Sequence, residues 1–574
     1  MRQRSLLCLF FLSTVIVPAS CQSFPIVNTP SGPVKGVVVP VNGQDIVQFR
    51  NIPFAQPPVG NLRFEKPVPV EPWKDTLDGT AFGPSCMQDK FLFPELWEKA
   101  EKAVVDEDCL QLNVYVPGAV STTVKKPVMV WIYGGAFSMG STFTYDGSFL
   151  ALKDVLVVTI NYRLGILGFL STEDSAMPGN YGLWDMIEAL EWVNKNIASF
   201  GGDPESVTIF GESAGGFAAS YLAVIPSTAG LFQRFIAQSG SAVGFMGIAP
   251  NPARAAKATG KFVGCLPDID GDVNSRALTD CLKQIPVEEL MDAQRDPGTQ
   301  FFGSFSVSPL LWPTIDGELL PRSPLESLKD PMSTESIYFR SLDMLAGTTS
   351  NEASVIAMFL GGLQEPMNFS MAEGIPTAVL CDVFAPTLAR EMFNDNPIVS
   401  DLLCKEYSSD DMEEQARKLS IMHADTWFVS PTIQLLDFHA KGKNTPITYH
   451  YLYNQPIDFF YMAPSFPWME GAGHATELLY MFGPSGLNEL DKSLSTDEGR
   501  TFSDVLARYW TNFAKTGNPN GDGLVPWKAF STEGRDYMEL KYQPVPGKNL
   551  YAKRMKILLE DIPNKIKNNV KTEL

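Results

Sequence analysis

Short apolar runs rich in β-branched residues recur along this chain, at residues 128–133, 155–161, 207–210, 235–237 and 447–453. Runs that are nearly continuous rather than alternating suit strands buried on both faces. Between them, apolar residues return every three or four positions, as in Leu183, Met186, Ile187, Leu190, Val193 and Ile197, and again across 217–224. That spacing predicts helices. Strands alternating with helices predict an α/β architecture, a large and mostly parallel central sheet with helices on both faces. With 574 residues, 45% hydrophobic and 19% charged, the chain has the material for a large packed core. No internal repeat or low-complexity block interrupts it, so residues 22–556 read as one continuous unit followed by a tail, 557–574.

Charge excludes one class of function. Lys and Arg total 45 against 65 for Asp and Glu, a net charge of −20, which leaves no electrostatic basis for gripping a phosphate backbone. Nucleic acid is therefore not an expected partner. Arg2 and Arg4 precede the apolar run 6–17 and the small residues Ala19, Ser20 and Cys21, the pattern of a secretory signal peptide over 1–21. That run is too short to span a bilayer comfortably, and no later stretch approaches about 20 uninterrupted apolar residues, so no membrane span is expected.

A secretory route permits disulfides. Cys8 leaves with the signal. Cys86 with Cys109, and Cys265 with Cys281, each close a loop of moderate length and are read as structural bridges, whereas Cys381 and Cys404 could form a third or remain buried thiols. No pair has the spacing of a zinc knuckle or redox motif, and no metal is expected. Asn368-Phe369-Ser370 fits the N-glycosylation acceptor pattern at Asn368.

The chemistry concentrates around Gly211-Glu212-Ser213-Ala214-Gly215, a G-x-S-x-G set directly between a predicted strand and a predicted helix. A nucleophile elbow needs small residues two before and two after the serine, because the sharp turn brings their backbones against neighbouring elements. A serine hydroxyl is a poor nucleophile at neutral pH and needs a base, itself oriented by a third group. Four histidines are available. His423 and His439 lie in helix-like segments and His450 in a strand-like run, while His474 stands in the glycine-rich loop 471–477 after a late strand. With the order nucleophile, acid, base, His474 is the base. Glu352, the carboxylate in the turn after the strand-like stretch at 344–349, is the candidate acid, with a surface loop glutamate as the alternative that chain order leaves open. The turn 131–137, with Gly134, Gly135 and Ala136, follows an apolar strand, so the N–H groups of Gly135, Ala136 and Ala214 are expected to receive an oxyanion.

Taken together, these residues resemble the type B carboxylesterases, a family that includes the cholinesterases, bile-salt-activated lipase and the catalytically silent neuroligins. The similarity also covers residues 51–60, 107–114, 161–163, 200–216, 313–317 and 510–513. It implies the α/β-hydrolase fold, the triad Ser213, Glu352 and His474, the two disulfides above, and buried ion pairs Arg63–Glu107 and Arg163–Asp185. The implied activity is serine carboxylesterase, acting without a cofactor on a small-molecule or lipid ester through an acyl-enzyme. Alternatives are a lipase-like or choline-ester hydrolase and, from another class, a neuroligin-like adhesion protein. The adhesion reading is disfavoured by the complete triad and the lack of a span. Trp97 lies in the first disulfide loop but out of register with the cholinesterase cation-binding tryptophan. Val307 and Leu311, where cholinesterases place aromatic walls, are assigned to a roomier acyl pocket. The last four residues, Lys571-Thr572-Glu573-Leu574, are similar to the endoplasmic-reticulum retrieval signal, implying a KDEL-type retrieval receptor and either lumenal residence or secretion.

Overall fold

The computed structural model describes residues 24–572 except 90–103, 245–246, 268–272, 297–310, 357–359, 361–362, 394–395, 442–446, 458–465, 467 and 484–491. The signal segment, Trp97, Val307, Glu573 and Leu574 thus lie outside the described residues.

Eleven strands build the main sheet. In chain order they are β1 (Val37–Val41), β2 (Gln44–Pro53), β3 (Gln111–Pro117), β4 (Lys126–Ile132), β5 (Leu156–Ile160) and β6 (Gly202–Glu212). They continue with β7 (Arg234–Gln238), β8 (Asp343–Thr349), β9 (Thr448–Tyr453), β10 (Asp536–Leu540) and β11 (Val545–Lys548). The spatial order is β11-β10-β9-β8-β7-β6-β4-β5-β3-β2-β1. From β5 across to β10 all neighbours run parallel, while β1 to β3 and β11 pair antiparallel at the two sides. The five apolar runs are β4, β5, β6, β7 and β9. Residues 128–132 of β4 are all completely buried, as covering both faces requires.

The helix predicted from residues 183–197 is α1 (Tyr181–Asn196), and the one after the serine is α2 (Ala214–Leu222). A second core lies beyond the sheet, among α3 (Met412–Ala424), α4 (Ser430–Ala440) and the end of the chain. A longer helix, α5 (Asp497–Thr516), precedes β10, and the chain ends in α6 (Ala552–Lys556) and α7 (Ile562–Thr572). Among the described residues no helix is long and apolar enough to cross a membrane.

Cys86–Cys109 and Cys265–Cys281 are bonded, and Cys381–Cys404 forms the third bridge rather than two thiols. Arg63 and Glu107 pair at 2.6 Å, Arg163 and Asp185 at 2.7 Å, both largely buried. Arg63 also donates to the carbonyls of Leu282 and Ile285, tying the first disulfide loop to the end of the helix that carries Cys281. These pairs are structural. Asn368 is exposed in a turn with φ 50°.

Strand register positions the site. Gly211 of β6 lies opposite Ile132 of β4 and Ala237 of β7; Glu212 lies opposite Gln238, and Gln238 opposite Gly347 of β8. The carboxyl ends of β6, β7 and β8 therefore finish side by side, and the segments leaving them emerge at one edge, where ligands of parallel sheets bind.

Candidate active site

Ser213 is the hinge between β6 and α2, with φ 54° and ψ −124°, a strained conformation for a residue with a side chain. The flanking glycines make the turn possible. A Cβ on Gly215 would sit 2.0 Å from the carbonyl oxygen of Ile132, and one on Gly211 would sit 2.4 Å from the backbone of Gly215. The Ser213 N–H donates to the carbonyl of Gln238, so β7 anchors the elbow.

Glu352 enters from the turn after β8 and is completely buried. Its Oε2 faces Nδ1 of His474 at 2.5 Å, while Oε1 accepts from the hydroxyl of Ser239 and the N–H of Thr349, each at 2.6 Å. The loop bearing His474 is fastened to the same turn. Asn351 donates to the carbonyl of Ala472, Ala472 to the hydroxyl of Ser350, and the His474 N–H to the hydroxyl of Ser354.

Nε2 of His474 lies 3.1 Å from Oε1 of Glu212, the residue just before Ser213. The ring is thus aimed at the elbow, resting on the neighbouring carboxyl rather than on Oγ. Burial pushes the Glu212 carboxyl well above the usual range. For His474, burial opposes the imidazolium, but the Glu212 and Glu352 carboxylates outweigh it and raise the ring to about 9. Glu477, also buried, is raised to about 7 by burial and then by Glu352; Gln238 donates to it at 3.1 Å and accepts from Trp510 at 3.0 Å.

The other histidines behave differently. Burial lowers His423 to about 3, His439 to about 4 and His450 to about 3, so all three are neutral. His439 links Thr448 to the carbonyl of Leu342, and His450 packs on Phe530 and Tyr537. His474 has two carboxylates, of Glu212 and Glu352, arranged to support a positive ring.

Gly135 and Ala136 have φ 111° and 55° and, like Ser213, are partly exposed. The Gly135 carbonyl accepts from Ser138 and Met139, which curls the loop back on itself. Ala214 opens α2, whose first-turn N–H groups lack intrahelical acceptors. Gly134 must be glycine for closeness alone, since a Cβ there would lie 2.5 Å from the Glu212 carbonyl oxygen. Leu311 is buried beside Trp312, whose ring packs edge-on against Phe137 at 4.7 Å and Phe217 at 5.4 Å. Trp312 therefore borders both the glycine loop and the elbow helix, with Leu311 next to it in sequence. Ser239, Gln238 and Glu477 were not found from sequence. The available signal for Ser239 was its place directly after an apolar strand next to β6.

Comparison with known proteins gives the family of the chain. A model described as carboxylesterase family matches residues 23–558. The chain is 36% identical to pyrethroid hydrolase Ces2e of Rattus norvegicus, over 94% of this chain and 90% of that protein. It is 34% identical to a fatty acyl-CoA hydrolase precursor, medium chain, of Anas platyrhynchos, covering 93% and 92% of the two. With the cocaine esterase of Homo sapiens it shares 35% identity, over 94% and 92%.

Proposed function

Because the chain belongs to the carboxylesterase family and is a carboxylic ester hydrolase, we propose that Ser213, His474 and Glu352 carry out its reaction. The observation that carries this reading is the buried Glu352–His474 pair aimed at the residue preceding the strained Ser213 elbow.

In this reading the ring turns from Glu212 to Oγ of the next residue when an ester is bound. Oγ attacks the carbonyl carbon while Nε2 takes its proton. Negative charge develops on the carbonyl oxygen, where the N–H groups of Gly135, Ala136 and Ala214 receive it. His474 then protonates the departing alcohol, leaving Ser213 acylated. A water molecule, deprotonated by the same nitrogen, attacks the acyl group and returns the serine. Glu352 keeps Nδ1 protonated and stabilises the imidazolium in both halves.

For substrate, Leu311 and Val307 are assigned to the acyl side, and relatives named for hydrolysis of pyrethroids and fatty acyl-CoA fit acyl groups larger than acetyl. Each buried methylene contributes roughly 0.8 kcal/mol, so butyryl phenyl esters should exceed acetyl ones in kcat/KM by about ten-fold. The disulfides support folding in an oxidising compartment. The signal segment 1–21, a glycan on Asn368 and capture of residues 571–574 by a KDEL-type receptor complete the proposed life of the protein in the secretory pathway.

The experiment is active-site labelling with a fluorophosphonate, followed by peptide mapping. The label should be found on Ser213 and be lost in Ser213→Ala and His474→Ala, both folded and inactive. A label on another serine would overturn the assignment.

A further inference from the structure

Helices α3 and α4 form one rod whose path is interrupted at Asp425–Val429 by a single wider, π-type turn. Such a turn widens the helix by one residue and is frequent at functional sites. Its five residues are all buried.

The group that fixes this turn comes from the far end of the chain. Asp425 opens it and is completely buried. Its Oδ2 lies 2.7 Å from Nε of Arg554 and its Oδ1 accepts from Nη2 at 3.0 Å, while the Tyr407 hydroxyl donates to Oδ2 at 3.2 Å. Arg554 is held in its turn, with its guanidinium stacked 3.9 Å from the Tyr551 ring centre. Met555, Leu558 and Ile562, from the same C-terminal segment, are buried in the second core. At the other side of the turn, Phe428 places its ring 4.9 Å from the imidazole of His474, tilted by 44°.

We propose that Arg554 is a positioning residue for the base: by clamping Asp425 it fixes the wide turn that holds Phe428 against His474. The phenyl ring excludes water from that side of the imidazole and limits its rotation, and its π face favours the imidazolium formed at each proton transfer. The C-terminal helix thereby takes part in proton transfer without touching the substrate. This inference rests on His474 being the base.

The test compares Arg554→Met, Arg554→Lys, Phe428→Leu and the double variant Phe428→Leu/Arg554→Met on one small phenyl ester, with active sites counted by fluorophosphonate burst. Arg554→Met should lower kcat about ten-fold with KM changed less than about two-fold, and Arg554→Lys should recover most of the loss. Phe428→Leu should give a similar fall, and the double variant should be no worse than the poorer single one, as expected when two residues act through one contact. Should Arg554→Met not fold, the neutral pair Asp425→Asn/Arg554→Gln removes the paired charges together and should show the same loss of kcat. Wild-type kcat in either variant, or effects that multiply in the double variant, would overturn the proposal. Full hydrolysis by His474→Ala would instead remove the reading of the base on which it stands.

Discussion

Ser239 donates its hydroxyl to Oε1 of Glu352 at 2.6 Å, the carboxylate oxygen that His474 leaves unused. One oxygen is thus held by the end of β7 and the other orients the base. Hydrogen bonds to a charged group contribute about 1.5 to 3 kcal/mol. Ser239→Ala should then lower kcat/KM by about ten-fold or more while the Thr349 N–H still holds the acid. Steady-state kinetics normalised to titrated active sites measures this, and an unchanged kcat/KM would show that Thr349 alone suffices.

Catalysis needs Nε2 of His474 free to accept a proton, so the raised ring should set the acid limb of kcat/KM. Glu212→Gln removes one of the two carboxylates that raise the ring to about 9, so the acid limb should move to lower pH. The linked stability follows the raised ring. Its contribution is complete below the unfolded value of about 6.5 and is lost as pH rises through the folded one. Between pH 6.5 and 9 the wild-type Tm should therefore fall more steeply than that of Glu212→Gln. Rate profiles and thermal unfolding over that range provide the two readings.

Cys381 and Cys404, 23 positions apart, close a loop packed against the second core. Cys381→Ser/Cys404→Ser should lower stability by about 3 kcal/mol, mainly by freeing the unfolded chain. Urea unfolding measures the loss, and peptide mapping of the unreduced protein should recover the two cysteines joined.

Deleting residues 571–574 should divert the protein from the endoplasmic reticulum to the medium with kcat and KM unchanged, since the tail lies beyond Arg554 and the segment packed in the second core. Equal secretion of full-length and truncated chains would show that the tail is not read as an address.

The central strands were legible because burial on both faces leaves an unbroken apolar run, as at 128–132 of β4. The outer strands were not. β11 is largely exposed, with the sequence Val-Pro-Gly-Lys, and its pairing with β10 depends on neighbours rather than composition. Within the site, Ser213 and its glycines announce themselves because steric demands fall on adjacent residues. Glu352 needed chain order and family resemblance. Ser239 had only its place after an apolar strand to mark it, since its partner lies 113 residues away. Asp425 reads as an ordinary helical aspartate until Arg554, 129 residues later, is folded against it.

The level finish of β6, β7 and β8 divides the chain into parts that tolerate change and parts that do not. Losing one residue from β7 would draw Ser239 back by about 3.3 Å and turn its side chain to the opposite face. The acid would lose the Ser239 hydroxyl although every catalytic residue remained. Segments away from the turns that carry Gly134, Ser213, Glu352 and His474 carry no such constraint, and they can lengthen or change composition while the ladder keeps its register. Differences among relatives in which esters fit should accordingly gather in those segments, leaving the pairing of Glu212, Gln238 and Gly347 as the fixed ruler against which new pockets are tried.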